Sequence, residues 1–134
     1  MRIEPDSVTP IVQQIVEGIH GSIAARVYRP GELIPSVRAQ AVASLVNPNT
    51  VQRAYEQLER DGLITGKKGT GMIVAENATE IARQAIVQKI TEALSRGIAA
   101  GISAHLDKNS IDKIYRQAWN ESRKQTPEVI NETK

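Results

Sequence analysis

The sequence predicts a mainly α-helical fold carrying one small β-hairpin. Three observations predict it. Apolar residues recur at helical spacing in five stretches. Two short apolar runs, "LIT" and "MIV", flank a Gly/Lys-rich turn, which reads as a hairpin. Only 3% of the residues are aromatic and none is Phe, so the core must come from Ile, Val, Leu and Ala, which suits helices.

The chain of 134 residues is one domain's worth, or a small domain with an appendage. Its formal net charge of +2 is too small to argue for nucleic acid by itself. Splitting the chain does not help: residues 1–75 carry eight Lys/Arg against seven Asp/Glu, and residues 76–134 carry nine against eight. Any charge argument must come from where the charges sit on the fold. Without cysteine, disulfides and Cys-based zinc sites are excluded. The charged start "MRIEPDS" lacks the apolar stretch of a secretion signal. No apolar run approaches the roughly 20 residues needed to span a bilayer. The expectation is a soluble cytoplasmic protein with no membrane partner.

The elements follow in order. "MRIEPDSVTP" is polar with two prolines and reads as an arm, at most with a brief strand. A first helix starts near Pro10, a favoured first-turn residue, with Thr9 as its cap. Ile11, Val12, Ile15, Val16, Ile19 and Ile23 form its stripe. Gly18 and Gly21 inside it mark either a solvent-side imperfection or close helix packing, each at a cost of up to about 1 kcal/mol. Pro30-Gly31 makes a turn, after which Leu33 and Ile34 are expected to be buried. Pro35-Ser36 opens a shorter second helix, "SVRAQAVAS". A third helix runs from about Pro48 to Asp61, with Asn47 as its cap and Gly62 as its stop. The hairpin follows. A long helical pattern then runs from about Asn77 to Ala104. After the loop "HLDKNS", Asn109 or Ser110 caps a last helix with Ile111, Ile114, Tyr115, Ala118 and Trp119 on one stripe. The expected organisation is residues 1–76, 77–124 as a two-helix segment, and a flexible tail over 125–134.

The third helix raises the functional question. With about 100° per residue, Val51, Ala54, Tyr55 and Leu58 cluster on one side. Asn49, Arg53, Glu56 and Arg60 point opposite, with Gln52 on the flank. The apolar side docks on other helices. The N-terminal half of the free side then offers Asn49, Gln52 and Arg53. Asn and Gln pair bidentately with adenine, and Arg with guanine or a phosphate. Thr50, Asn47 and the first-turn backbone N–H groups suit a phosphate. The second helix ends a few residues earlier, so the pair makes a helix-turn-helix read by its second helix. The hairpin adds Lys67 and Lys68 beside Gly69 and Gly71, where glycine permits close backbone approach and lysine meets phosphate. The bland alternatives are an ordinary solvated helix face and a solvated hairpin.

"PIVQQIVEGI", "RPGELIPSVR", "VNPNTVQRAYEQLERDGLI" and "KKGTGMIV" together resemble the winged helix-turn-helix domain of GntR-type transcriptional regulators, over about residues 8–76. The two-helix remainder resembles the YtrA-type branch, which lacks a large ligand-binding domain. The resemblance implies a homodimer binding a near-palindromic operator in double-stranded DNA, usually as a repressor. By position it places Ser36 and Arg38 against the DNA. It assigns Asn47, Asn49, Thr50, Gln52 and Arg53 to the recognition-helix surface, and Lys68 and Gly69 to the wing tip. One departure stands out. The family reads Leu-Ala-x-x-Leu-Gly-Val before Asn-Pro, and here the same positions read "QAVASLV". Gln40 and Ser44 replace leucines, and Leu45 replaces the turn glycine. Either the turn takes another conformation, or helix two rotates so that Val42 and Leu45 serve the core.

Other motifs weigh less. "GTGM" without a strand-to-helix context is a weak phosphate signal. His20 and His105 are distant and lack paired carboxylates, so structural or surface roles are expected and no metal or cofactor is called for. No Ser-His-Asp or paired-carboxylate arrangement suggests an enzyme. Gly97 and Gly101 in "GIAAG" either let helices approach closely or weaken the helix. Ile86, Ile90, Leu94, Ile98, Ile114 and Trp119 cannot all be buried by two helices alone. They are expected to pair with a second subunit; the alternative is folding back on the winged domain. A small-molecule effector, if there is one, has room only at such an interface. The competing function is a winged-helix protein-interaction module without specific DNA binding.

Overall fold

The structure, a computed structural model, describes residues 2–125. The elements among them are α1 (Ile11–Ala24), α2 (Val37–Ser44), α3 (Pro48–Arg60), β1 (Ile64–Lys67), β2 (Gly71–Val74), α4 (Ala78–Ser103) and α5 (Lys108–Gln125). The mainly helical fold with one hairpin wing is therefore as expected. The chain divides into two compact units, one ending at Ile86 and one beginning at Val87. The expected division after residue 76 falls short of this because Ala78 and Ala82, in the first turns of α4, are fully buried in the core of the first unit. Ile86, expected at a subunit interface, is also half-buried against that core. Apart from Gln125, which ends α5, the expected flexible tail lies outside the described residues.

In the first unit α3 packs on α1 and α2 and touches β1. The core is aliphatic, as the composition requires. Ile15, Ile19 and Ile23 of α1 meet Val51 and Leu58 of α3, with Leu63, Ile64 and Val74 from the hairpin. Residues 2–10 of the amino-terminal arm include turns and no strand. It is tied down by Gln14, whose Oε1 accepts from the Glu4 N–H at 2.7 Å and whose Nε2 donates to the carbonyls of Glu4 and Thr9 at 2.9 and 2.8 Å. Thr9 therefore does not cap α1; Pro10 holds the cap position without a side-chain hydrogen bond. A Cβ built on Gly21 would meet nothing within 4 Å, so this glycine serves no close helix packing among the described residues.

The hairpin is antiparallel with Ile64 opposite Val74 and Lys67 opposite Gly71. Its inner strand is paired on both edges. Gly31 N–H donates to the Val74 carbonyl at 2.8 Å, Val74 N–H to Glu32 at 2.9 Å and Ile34 N–H to Met72 at 3.0 Å. Ile34 is buried as expected, but Leu33 is 54% exposed. Extended backbone alternates its side chains, so two neighbours cannot both face the core.

Neither expectation for the helix-turn-helix turn holds. Leu45 keeps the left-handed conformation (φ 57°, ψ 44°), which costs a non-glycine residue roughly 1–2 kcal/mol. Its successor's N–H closes the end of α2 on the Ala41 carbonyl at 3.0 Å, the six-to-one bond of a Schellman turn. Helix two is not rotated either. Gln40 is only 6% exposed and points inward where a leucine was expected. Its Nε2 donates to Ser44 Oγ at 2.6 Å, so the two polar replacements satisfy one another.

In the second unit Gly101 lets α5 dock against α4. A Cβ there would come within 3.1 Å of Ile111 Cδ1, whereas at Gly97 it would meet nothing. The chain reverses through His105 (φ 63°), with the Leu106 N–H donating to the Gly101 carbonyl at 3.0 Å. Asp107, not Asn109 or Ser110, caps α5: its Oδ1 accepts from the Ser110 N–H at 2.9 Å. That bond holds the Asp107 carboxyl below its usual value. No described helix is long and apolar enough to cross a membrane.

Candidate nucleic-acid interface

Helix α3 is built as its stripe dictates. Val51, Ala54, Tyr55 and Leu58 are buried, and Asn49, Gln52, Arg53, Glu56 and Arg60 are exposed. Tyr55 fixes α3 to the entry of α2. Its hydroxyl donates to the Pro35 carbonyl at 2.6 Å. Burial, and secondarily the nearby Tyr28, pushes the Tyr55 hydroxyl well above the usual tyrosine value. It therefore stays a donor throughout the ordinary pH range.

The start of α3 departs from the sequence reading in one respect. Pro48 has no N–H. The Asn49 N–H donates to Asn47 Oδ1 at 2.7 Å, and those of Thr50 and Val51 donate to the Asn47 carbonyl at 3.0 and 3.3 Å. The first-turn N–H groups are thus occupied by the cap, and a phosphate would have to be met by side chains. Asn47 is a cap first. Ser36 is likewise the cap of α2, accepting from the Ala39 N–H at 3.0 Å.

The remaining side chains are free to meet a ligand. Arg38 and Arg53 are exposed, and no hydrogen bond or ion pair holds either among the described residues. Gln52 is exposed with one weak tie, Nε2 to Glu56 Oε2 at 3.3 Å. Lys67, Lys68 and Gly69 are exposed at the wing tip, where the Thr70 N–H closes the turn on the Lys67 carbonyl at 2.9 Å. Gly69, the third residue of that turn, has φ 77°, which glycine adopts without strain. Sequence reasoning considered Val42 and Leu45 only as core residues, yet they are 71% and 91% exposed. The available signal was the spacing of Val42, four residues from Arg38 and so on the same face of α2.

The described residues contain no group of three His, Cys, Asp or Glu side chains able to hold a metal ion. The second unit offers a different surface. Leu94, Gly97, Ile98, Gly101, Ile114 and Tyr115 line an apolar groove of about 360 Å³. Ile90, Leu94, Ile98, Ile114 and Trp119 are each roughly half-exposed. The Tyr115 and Trp119 rings lie 6.3 Å apart on the same face of α5.

Three helices, with the third presenting a polar face, and a hairpin carrying lysines at its tip define a winged helix-turn-helix protein. Comparison with known proteins agrees. Residues 11–74 match the model of "Bacterial regulatory proteins, gntR family". The chain is 35% identical to the HTH-type transcriptional repressor YtrA of Bacillus subtilis over 86% of each chain. It superposes on a GntR family transcriptional regulator from Listeria monocytogenes with a TM-score of 0.71 and 32% identity, covering 84% of this chain and 97% of that one. A transcriptional regulator from Oenococcus oeni gives a TM-score of 0.72 at 27% identity, covering 87% and 97%. The chain belongs to the GntR family and is a winged helix-turn-helix transcriptional regulator.

Proposed function

We propose that the chain is a repressor that binds a near-palindromic operator as a homodimer in the cytoplasm. The observation that carries the DNA contact is the polarity of α3: one face is locked in the core, and the other presents Asn49, Gln52 and Arg53 at its amino-terminal end. These residues read base edges, with Thr50 beside them. Arg38, Lys67 and Lys68 meet phosphates, and Gly69 lets the wing tip approach closely. Ser36 and Asn47 act mainly by holding the two helix starts. The similarity to a Bacillus subtilis repressor supports the direction of regulation.

Ile90, Leu94, Ile98, Ile114 and Trp119 form the dimer surface. Their half-exposure on two helices with little other apolar cover supports this reading. Ile86 is left out of it, because the first unit already holds it. The dimer sets two recognition helices on half-sites about one helical turn, or a multiple, apart. A small-molecule effector would bind in the apolar groove at that interface.

The test is fluorescence anisotropy with duplexes tiling the protein's own promoter region, at two salt concentrations. One near-palindromic segment should bind two chains, with affinity falling steeply as salt rises. Arg53→Ala or Asn49→Ala should cost roughly 1–3 kcal/mol of binding with the fold intact. Weak binding that is indifferent to both sequence and salt would instead indicate a protein-interaction module.

A further inference from the structure

We infer that Val42 and Leu45 form an apolar specificity contact to the DNA, reading thymine methyl groups beside the base pairs met by α3. The inference rests on the reading of α3 as the recognition helix.

Two observations carry it. Leu45 occupies a left-handed position that glycine fills without strain, and 91% of it is exposed. No packing within the fold offsets the strain, so the leucine side chain is not there to stabilise the domain. Val42 is also exposed, at 71%. Together they border the turn that leads into α3. Val42 lies four residues after Arg38 on the exposed side of α2, away from the buried Gln40 and Ala41, and Leu45 follows just past the end of the helix. The pair stands between a proposed DNA-contacting arginine and Asn47, the cap of α3, which follows Leu45 by two residues. An aliphatic pair is thus continuous with the recognition surface.

The chemistry of that surface decides what the pair reads. Asn, Gln and Arg answer the hydrogen-bonding edges of bases. The apolar feature that the major groove presents is the C5-methyl of thymine. An aliphatic contact distinguishes thymine from cytosine without any charge. It should therefore add affinity that does not depend on salt, unlike a phosphate contact.

The experiment selects duplexes from a randomised library with the full chain, then measures anisotropy on the selected duplex. Each thymine is replaced in turn by deoxyuridine, which removes only the methyl. One or two replacements per half-site should weaken the wild type about fourfold each, the equivalent of one buried methyl. Leu45→Gly should weaken binding by at least as much, leave the salt slope unchanged and lose sensitivity to the same replacements. Its folding should survive, since glycine relieves the turn. Val42→Ser gives a second variant without a backbone change and should lose sensitivity to one of the same positions.

Undiminished binding by both variants would overturn the inference. So would thymine sensitivity that persists in both, or a selected duplex without thymine in the half-site. In each of those cases a loss on Arg53→Ala would leave the recognition-helix reading standing. Failure of the wild type to select any sequence would overturn both.

Discussion

Removing one hydroxyl, in Tyr55→Phe, should both weaken the helix-turn-helix and change its response to alkali. Tyr55 is 2% exposed and its hydroxyl donates to the Pro35 carbonyl at 2.6 Å, joining the middle of α3 to the residue before the α2 cap. A net hydrogen bond contributes about 0.5–1.5 kcal/mol, and a carbonyl left without a partner adds to the loss, so about 1–2 kcal/mol is expected at neutral pH. The pH dependence follows from the raised proton affinity of the buried hydroxyl. In the unfolded chain Tyr55 ionises near its ordinary value of about 10. In the folded chain it keeps its proton to higher pH. The stability linked to it is therefore complete below about pH 10 and declines above it by about 1.4 kcal/mol per pH unit. The phenylalanine variant lacks this decline. Urea unfolding followed by circular dichroism should show the wild type ahead at neutral pH, with the gap closing by about 1.4 kcal/mol near pH 11. No gap at neutral pH, or one that stays constant into alkali, would refute the reasoning.

Three further outcomes are expected. Asn47→Ala should lower stability by about 1 kcal/mol through loss of its cap, while Asn49→Ala should leave the melting temperature unchanged. Thr79→Val should raise stability by about 1 kcal/mol, because Thr79 Oγ1 is buried without a hydrogen-bond partner among the described residues. Gly62→Ala should cost about 1 kcal/mol in thermal melting. The cause is the positive φ of 81°, since the new Cβ would sit in ordinary contact, 3.7 Å from Ile81 Cδ1.

Local rules made most of the domain legible. The stripe of α3 named its four buried residues, and Asn47-Pro48 and Gly62 located its ends to within a residue. The hairpin followed from two short apolar runs around a glycine turn. What escaped depends on partners distant in sequence, or on competition for the same group. Two polar residues at leucine positions suggested a rotated helix, yet Gln40 and Ser44 satisfy each other inside the structure. The first-turn N–H groups of α3 looked available until Asn47 was seen to use them. The boundary near residue 76 looked natural because the hairpin ends there. The small side chains of Ala78 and Ala82 gave no apolar signal strong enough to show that the core continues into α4.

The hairpin's attachment to residues 31–34 bears on a hazard that regulators share with every exposed sheet. An unpaired strand edge is a template on which another chain can add itself, and a wing must stay exposed to work. Here one edge of β2 is taken by β1 and the other by the Gly31–Ile34 segment. Of the hairpin itself, the outer edge of β1 has no strand partner among the described residues; it is four residues long and ends in Gly66 and Lys67. Such an edge is too short, and too charged at its tip, to recruit a neighbouring strand. Lys67, proposed to meet DNA, thus also sets a charge at the open end of that edge.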